Sequence, residues 1–565
     1  MVGGIGEAGG AEGLQAVELE RENRGTYQVF HAKKVYGTDQ GVMENVSILV
    51  NPDGVIEAIV PREEEQAELA ERQRHDQDFR VVERESEVIL PSLTDSHNHP
   101  VCFPGILSGQ PGFIFGITSE DRLRDYLTEH FKEKDRDGSS NRMEMVIGWD
   151  TSSLPNITAD KLDTVRKEPF IIMDMSYHGA VGNTAAVQKI MEYTRRMGLE
   201  GKLRGEMDNQ GRMWEEYALL GLEVMETDMD LSEISNSVED YLQETHRGGA
   251  GFVHEMVIFT PAQAEIYASL SPETKKLISQ AYLGPRIMRS MTDRGIDVST
   301  YGLKLLADGS FGSFSSLMYE PFVGTDKTGL EYNTAEDAKE AMELAAGHGI
   351  TRAATHAIGD RGIDVALSYS ELWQKIAQDH GLDATARVEH FSIPRAQSIE
   401  HARELGVIVS TQPNFATDVV PYAGRLGPER TQRNIPLRQL VDTGVHTCFG
   451  TDGMPNSMAF GLHCATTPPN KAQALTFEEA LKAAAQTAPM LEGTGRSGVI
   501  RVGASADFVL TNQRFIDKVT SDSGLFDVTA GKLDEKMGEV KGNIEAEIGD
   551  NLVGGQSILK KKDEE

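Results

Sequence analysis

The chain has 565 residues, 39% hydrophobic and 25% charged, an ordinary balance for a globular protein with more than one packing unit. A formal net charge of −33 excludes the basic face that nucleic acid or anionic lipid requires, so the expected partner is a small molecule, with no nucleic acid and no membrane. Three cysteines (Cys102, Cys448, Cys464) build no disulfide framework, no stretch matches a span of ~20 uncharged apolar residues, and the N-terminus shows no secretory pattern. The expected compartment is the cytoplasm, and a homodimer is the assembly considered.

Residues 1–25 are glycine-rich and acidic and read as a disordered tail. Short strands follow at Tyr27–Phe30 and Val46–Val50, and Asn51-Pro52-Asp53-Gly54 is a turn signal that returns the chain as Val55–Val60. The charged run Glu63–Asp78 reads as a solvated helix or insertion. Glycine-flanked short strands recur at Gly498–Gly503 and Ala506–Leu510. The two flanks, residues 26–90 and 491–513, are therefore expected to form a composite β-sandwich. Residues 514–565 read as a polar extension, adding at most an edge strand near Ile544–Leu559.

Between the flanks, residues 91–490 alternate apolar strands with amphipathic helices. Thr334 and Asp337 predict the start of a helix over Ala335–Ala346. The strand Ile350–His356, a helix over Arg361–Gln378 capped by Asp360, and the strand Ala386–His390 follow. Val407–Pro413 and Val445–Asp452 read as two more strands. Units at intervals of about forty residues predict an α/β fold with a distorted (β/α)₈ TIM barrel, whose chemistry sits at the strands' carboxyl ends. The segment 201–300 reads as lid and helix-shell material.

Polar residues stand where these apolar runs end. His97 and His99 follow Val88-Ile89-Leu90 and share one face of a strand; His356, His390 and Asp452 close later strands. Histidines with one carboxylate are a ligand set for a zinc-type ion. Lys304 lies inside the apolar run Leu303–Leu306, where a charged ammonium is costly. It either pairs with Asp308 or snorkels, or it is a neutral amine able to take up carbon dioxide as a carbamate. Trp149, Tyr177 and Gln412, at predicted strand ends, are pocket candidates, with ordinary packing as the alternative for the two aromatics.

The stretches Leu90–Pro100, Met175–Asn183, Lys304–Ser313, His356–Arg361, Arg387–His390, Gly450–Asp452 and Gly503–Asp507 resemble the metal-dependent amidohydrolase superfamily, specifically its family-3 branch of YtcJ-like and N-substituted formamide deformylase-like proteins. The resemblance implies a distorted barrel with one or two divalent metal ions, zinc foremost. It places His97 and His99 on the buried metal and Lys304 as a bridging, carboxylated lysine. His356 and His390 fall on a second metal, Asp452 on metal binding and proton transfer, and His178 on the substrate. It implies hydrolysis of a linear amide-like C–N bond, in an N-acyl or N-formyl amine, by metal-activated water. Two other readings stand beside it: a mononuclear cyclic-amidine deaminase, and a catalytically silent scaffold on the same barrel. Phe314 after Gly312-Ser313, and Gly453-Met454-Pro455 after Asp452, depart from the branch's usual residues and bear on substrate choice.

Overall fold

The computed structural model describes residues 26–74, 80–108, 111–114, 116–134, 142–151, 153–174 and 177–559. The expected tail over 1–25, residues 560–565, and Met175 and Ser176 of the quoted motif lie outside the described residues. Among the described residues no helix is long and apolar enough to cross a membrane.

Eight parallel strands carry the centre of the fold: Leu93–Asn98, Ala250–Ile258, Ile278–Leu283, Gly302–Leu306, Arg352–Ala357, Thr385–His390, Ile408–Thr411 and His446–Phe449. They lie side by side in chain order, as expected of a (β/α)₈ barrel. The seam between the last strand and the first is held by a side-chain bond and a backbone bond. Ser96 Oγ donates to the Phe449 carbonyl at 2.8 Å, and the Asp452 N–H donates to the His97 carbonyl at 2.7 Å. The helices pack outside: Trp373, Leu303, Leu305, Val388 and Val409 share one buried apolar cluster between helix and strand. Each such aliphatic side chain contributes roughly 1.5–3 kcal/mol by leaving water. The helix Ala335–Gly347 starts with the expected capping box of Thr334 and Asp337. Asp360, expected as a cap, is instead the first residue of the helix Asp360–Asp379, and its carboxylate accepts the N–H groups of Tyr319 and Arg361.

The segment 201–300 is not only lid and shell: it supplies the second and third barrel strands. Ala250–Ile258 is buried along its whole length, but His254 and Glu255 interrupt its apolar run, and Ile278–Leu283 carries Ser279 and Gln280. Between the first and second barrel strands the chain builds a separate five-stranded sheet, in the order Arg212–Trp214, Gly179–Gly182, Phe170–Met173, Glu144–Ile147, Gly112–Phe113.

The two flanks meet in one hydrogen-bonded sheet of seven strands. Thr26–Thr38 pairs with Gly41–Val50, which pairs across the predicted turn with Ile56–Pro61; Asn51 Oδ1 accepts the N–H groups of Asp53 and Val55 to close that turn. From the other flank, Phe508–Thr511 pairs antiparallel with Arg80–Pro91, and Asp550–Val553 lies outside it. The expected strand over Gly498–Gly503 reduces to a single bridge at Ile500. The polar extension is more ordered than expected. Helices Gln513–Thr520 and Leu533–Glu545 bury Phe515, Ile516, Val519, Leu533, Val540 and Ile544 against the barrel's helices.

Candidate metal centre

Four imidazoles from the carboxyl ends of the barrel strands and a fifth, His178, from the inserted sheet form one line of successive ring contacts. Ring centroids are 5.4 Å apart from His99 to His97, 4.7 Å from His97 to His390, 4.4 Å from His390 to His356 and 5.4 Å from His356 to His178. Asp452 reaches across them, with Oδ1 3.0 Å from His99 Nε2 and 3.7 Å from His97 Nε2, and Oδ2 4.0 Å from His390 Nδ1. Among the described residues one compact donor set results, with ligand atoms of His97, His99 and Asp452 all within 4.8 Å of one another.

The backbone bends to bring these groups together. His390, Phe391 and Asp452 have positive φ, at 68°, 53° and 55°, a conformation that L-residues adopt at a cost and that concentrates at functional sites. Gly450 fits because a Cβ there would fall 2.5 Å from the His97 Cβ, so the last strand passes directly against the first ligand.

Four of the histidines are held from behind by groups that the sequence analysis gave no role. His97 Nδ1 is 2.7 Å from Glu389 Oε2, His99 Nδ1 is 3.4 Å from Glu255 Oε1, and His178 Nδ1 is 2.6 Å from Glu215 Oε2. His356 Nε2 faces the Gly309 carbonyl at 3.1 Å. Such partners fix tautomer and ring orientation. With Nδ1–H given to Glu389, the Nε2 lone pair of His97 points at a carboxylate oxygen. A lone pair and an anion face one another there, an arrangement that a cation between them resolves. The donor chemistry therefore fits a divalent ion.

The electrostatics agree. Burial drives the protonation of His97, His390 and His356 well below the ordinary imidazole range, with Lys304 and neighbouring histidines adding to it, so their lone pairs are available. Burial also works against a proton on His99 and His178. Asp452 and Glu255 outweigh it at His99, lifting it to about 9, and Glu215 does so at His178, lifting it to about 8. Lys304 is buried, and desolvation lowers its amine to about 8 although Glu389 and Asp452 pull the other way. Asp308, the pairing partner weighed for Lys304, is instead occupied by the backbone N–H groups of Leu317, Ile358 and Gly359.

The pocket candidates separate. Tyr177 is half-buried beside Phe103, ring centroids 5.9 Å apart, and Phe103 in turn abuts His99 at 5.7 Å. Gln412 is fully buried and its Oε1 accepts from His390 Nδ1 at 2.8 Å, which makes it a support for a ligand rather than a pocket wall. Trp149 belongs to the core of the inserted sheet: its indole N–H donates to the Leu154 carbonyl, and its ring packs in a cluster with Leu123 and Phe170. Its alternating surroundings look alike in sequence whether a strand end opens on a pocket or on a core. Phe314, at the departure from the usual motif, lies under the guanidinium of Arg425 at 4.4 Å.

The sequence model of the amidohydrolase family matches residues 85–529. The chain belongs to the amidohydrolase family. It is thus a hydrolase, and His97, His99 and Asp452 form a donor set suited to a divalent ion. Two solved structures share the fold of this family member. A metal-dependent hydrolase from Pyrococcus horikoshii OT3 aligns at 20% identity and TM-score 0.65, covering 86% of this chain and 97% of that one. Another from Pyrococcus furiosus aligns at 20% identity and TM-score 0.62, covering 85% and 97%. The curated protein LONG AFTER FAR-RED 3 of Arabidopsis thaliana is 29% identical over 239 residues, 39% of this chain and 40% of that protein's length.

Proposed function

We propose that the enzyme hydrolyses a linear amide-like C–N bond, such as that of an N-formyl or N-acyl amine, with one or two divalent ions, zinc foremost, as cofactor. The observation that carries this reading is the Asp452 carboxylate, set against imidazoles from two strands at once and placed where both a ligand and a proton acceptor are needed. His97, His99 and Asp452 would hold a divalent ion, and Lys304, His356 and His390 a second; such an ion would supply Lewis acidity and bring the pKa of water from ~15.7 to about 7. Asp452 accepts the proton of the attacking water and passes it to the departing nitrogen, so that one C–O bond forms as the C–N bond breaks and the amine leaves neutral. His178, whose side chain is 13% exposed, donates to the carbonyl oxygen as negative charge builds there. Lys304, lowered by burial to about 8, yields its proton far more readily than an ordinary lysine. With carbon dioxide it would give a carbamate and a proton, and the carbamate would add an anionic oxygen donor to the site.

The deaminase reading needs an acid shortly after His356. The carboxylate that follows, Asp360, accepts two backbone N–H groups and lies 3.5 Å from Arg433, away from the imidazole line. A screen of N-formyl, N-acetyl and carbamate compounds tests the proposal, with Asp452→Asn as control. The variant is expected to lose about 10²–10⁴ in rate; retained turnover removes Asp452 from the chemistry. Metal analysis separates the readings, with about two ions per chain for the amide hydrolase, one for a deaminase and none for a scaffold.

A further inference from the structure

One buried carboxylate beside the imidazole line has no role in metal binding and none in capping its own helix. Glu215 stands at the end of the inserted strand Arg212–Trp214, whose antiparallel register sets Trp214 opposite Gly179 and so Glu215 next to His178. Two bonds join the pair: Glu215 N–H donates to the His178 carbonyl at 2.8 Å, and His178 Nδ1 lies 2.6 Å from Glu215 Oε2. Glu215 precedes the helix Glu216–Glu226 without a side-chain capping bond, and its backbone sits at φ 57°, ψ −124°, a conformation that L-residues adopt at a cost.

Its surroundings are specific. The Glu215 side chain is 0% exposed while that of His178 is 13% exposed, so only the imidazole can meet a substrate. Among the described residues the second oxygen, Oε1, has no hydrogen-bond partner; it rests over Gly309, where a Cβ would fall 2.6 Å from it. The carbonyl of that same Gly309 accepts from His356 Nε2. One residue of the barrel thus seats both the last ligand of the imidazole line and the carboxylate behind His178.

We infer that Glu215 is a positioning residue. Through Nδ1 it fixes the His178 ring so that the opposite nitrogen faces the substrate carbonyl beside His356, and it ties the inserted sheet's contribution to the barrel's metal centre. This rests on the amide-hydrolase reading. Glu215 touches no reacting atom; it acts on the orientation and tautomer of His178.

A double-mutant cycle on the metal-loaded enzyme tests it. His178→Ala is expected to lower kcat about 10²–10³-fold. Glu215→Gln should lower it about 10–100-fold with KM little changed. The double variant should be no slower than His178→Ala alone, because the carboxylate has nothing left to orient. Losses that multiply, or a Glu215→Gln deficit that follows a fallen Tm, would make Glu215 a structural brace and overturn the inference. A readout free of turnover is the histidine N–H spectrum of ¹⁵N-histidine-labelled protein. A far-downfield proton signal is expected in the wild type, absent in His178→Ala and shifted upfield in Glu215→Gln. Its absence from the wild type sinks the positioning role. Its presence in a protein that cleaves none of the amides keeps the pair and sinks only the amide reading.

Discussion

Two adjoining groups of ionisable side chains are buried in the barrel interior and are settled differently. Behind the imidazoles each charge answers another, and Glu389 links the two groups. Arg387 is bonded to Glu389 and lies 3.1 Å from His254; His254 faces Glu492 at 3.3 Å; Glu492 accepts two bonds from Arg496. Toward the carboxyl ends His97, His390, His356 and Lys304 crowd together, and burial presses all four toward their neutral forms. A closed set of ion pairs satisfies itself; a set of neutral bases with their lone pairs inward is complete only with something positive. The first kind of burial specifies a fold, and the second specifies a ligand.

The sharpest way to break the self-satisfied group is Arg387→Ala, which strands Glu389 without its guanidinium. A loss of about 3–5 kcal/mol in urea unfolding is expected, together with weaker metal retention through His97. Glu492 gives a pH signature. Burial pushes its carboxyl up, but His254 and Arg496 more than offset this, leaving it at about 2 against an ordinary 4.5. A carboxyl depressed in the folded state contributes its full stability above pH 4.5, and that contribution disappears as pH falls toward 2. Between these values the wild type should therefore lose on the order of 2–3 kcal/mol more than Glu492→Gln, measured by unfolding at each pH. Outside the barrel, Ile544→Val probes the packing of the chain's last helix and should cost about 0.5–1.5 kcal/mol with turnover unchanged. At the surface, Lys471→Ala removes an ion pair to Asp522 whose side chains are 59% and 62% exposed; a change below about 1 kcal/mol is expected, smaller still in salt.

Most of the candidate residues were legible because their strands are short segments set between helical patterns, with a histidine at the carboxyl end: Arg352–Ala357 and Thr385–His390 stand where that alternation puts them. The second and third barrel strands were hidden because polar residues, His254 and Glu255 in one and Ser279 and Gln280 in the other, break their apolar runs, and no strand–helix alternation as clear as that after residue 334 frames them. The supports were hidden for another reason. Glu215 and Glu255 are distant in sequence from the histidines they hold, so only the folded register joins them. Arg387 and Glu389 did carry a signal, two opposite charges one residue apart in a buried strand, which alternation places on one face. The terminal helix was readable too, since Leu533, Val540 and Ile544 recur at helical spacing, but a charged composition masked it.

The seven-stranded sheet has a consequence for how the molecule is made. The strand Arg80–Pro91 runs directly into the first metal-binding strand, yet its neighbour Phe508–Thr511 lies more than four hundred residues downstream; Ser86 reaches the Thr511 carbonyl across 425 positions. During synthesis one edge of that strand stays open until Phe508–Thr511 has left the ribosome. Contacts of such long separation form slowly, and an open edge in the meantime invites pairing with the wrong chain. Assembly of this enzyme is therefore limited by its last strands to emerge, although the metal ligands themselves are complete sixty residues earlier, at Asp452.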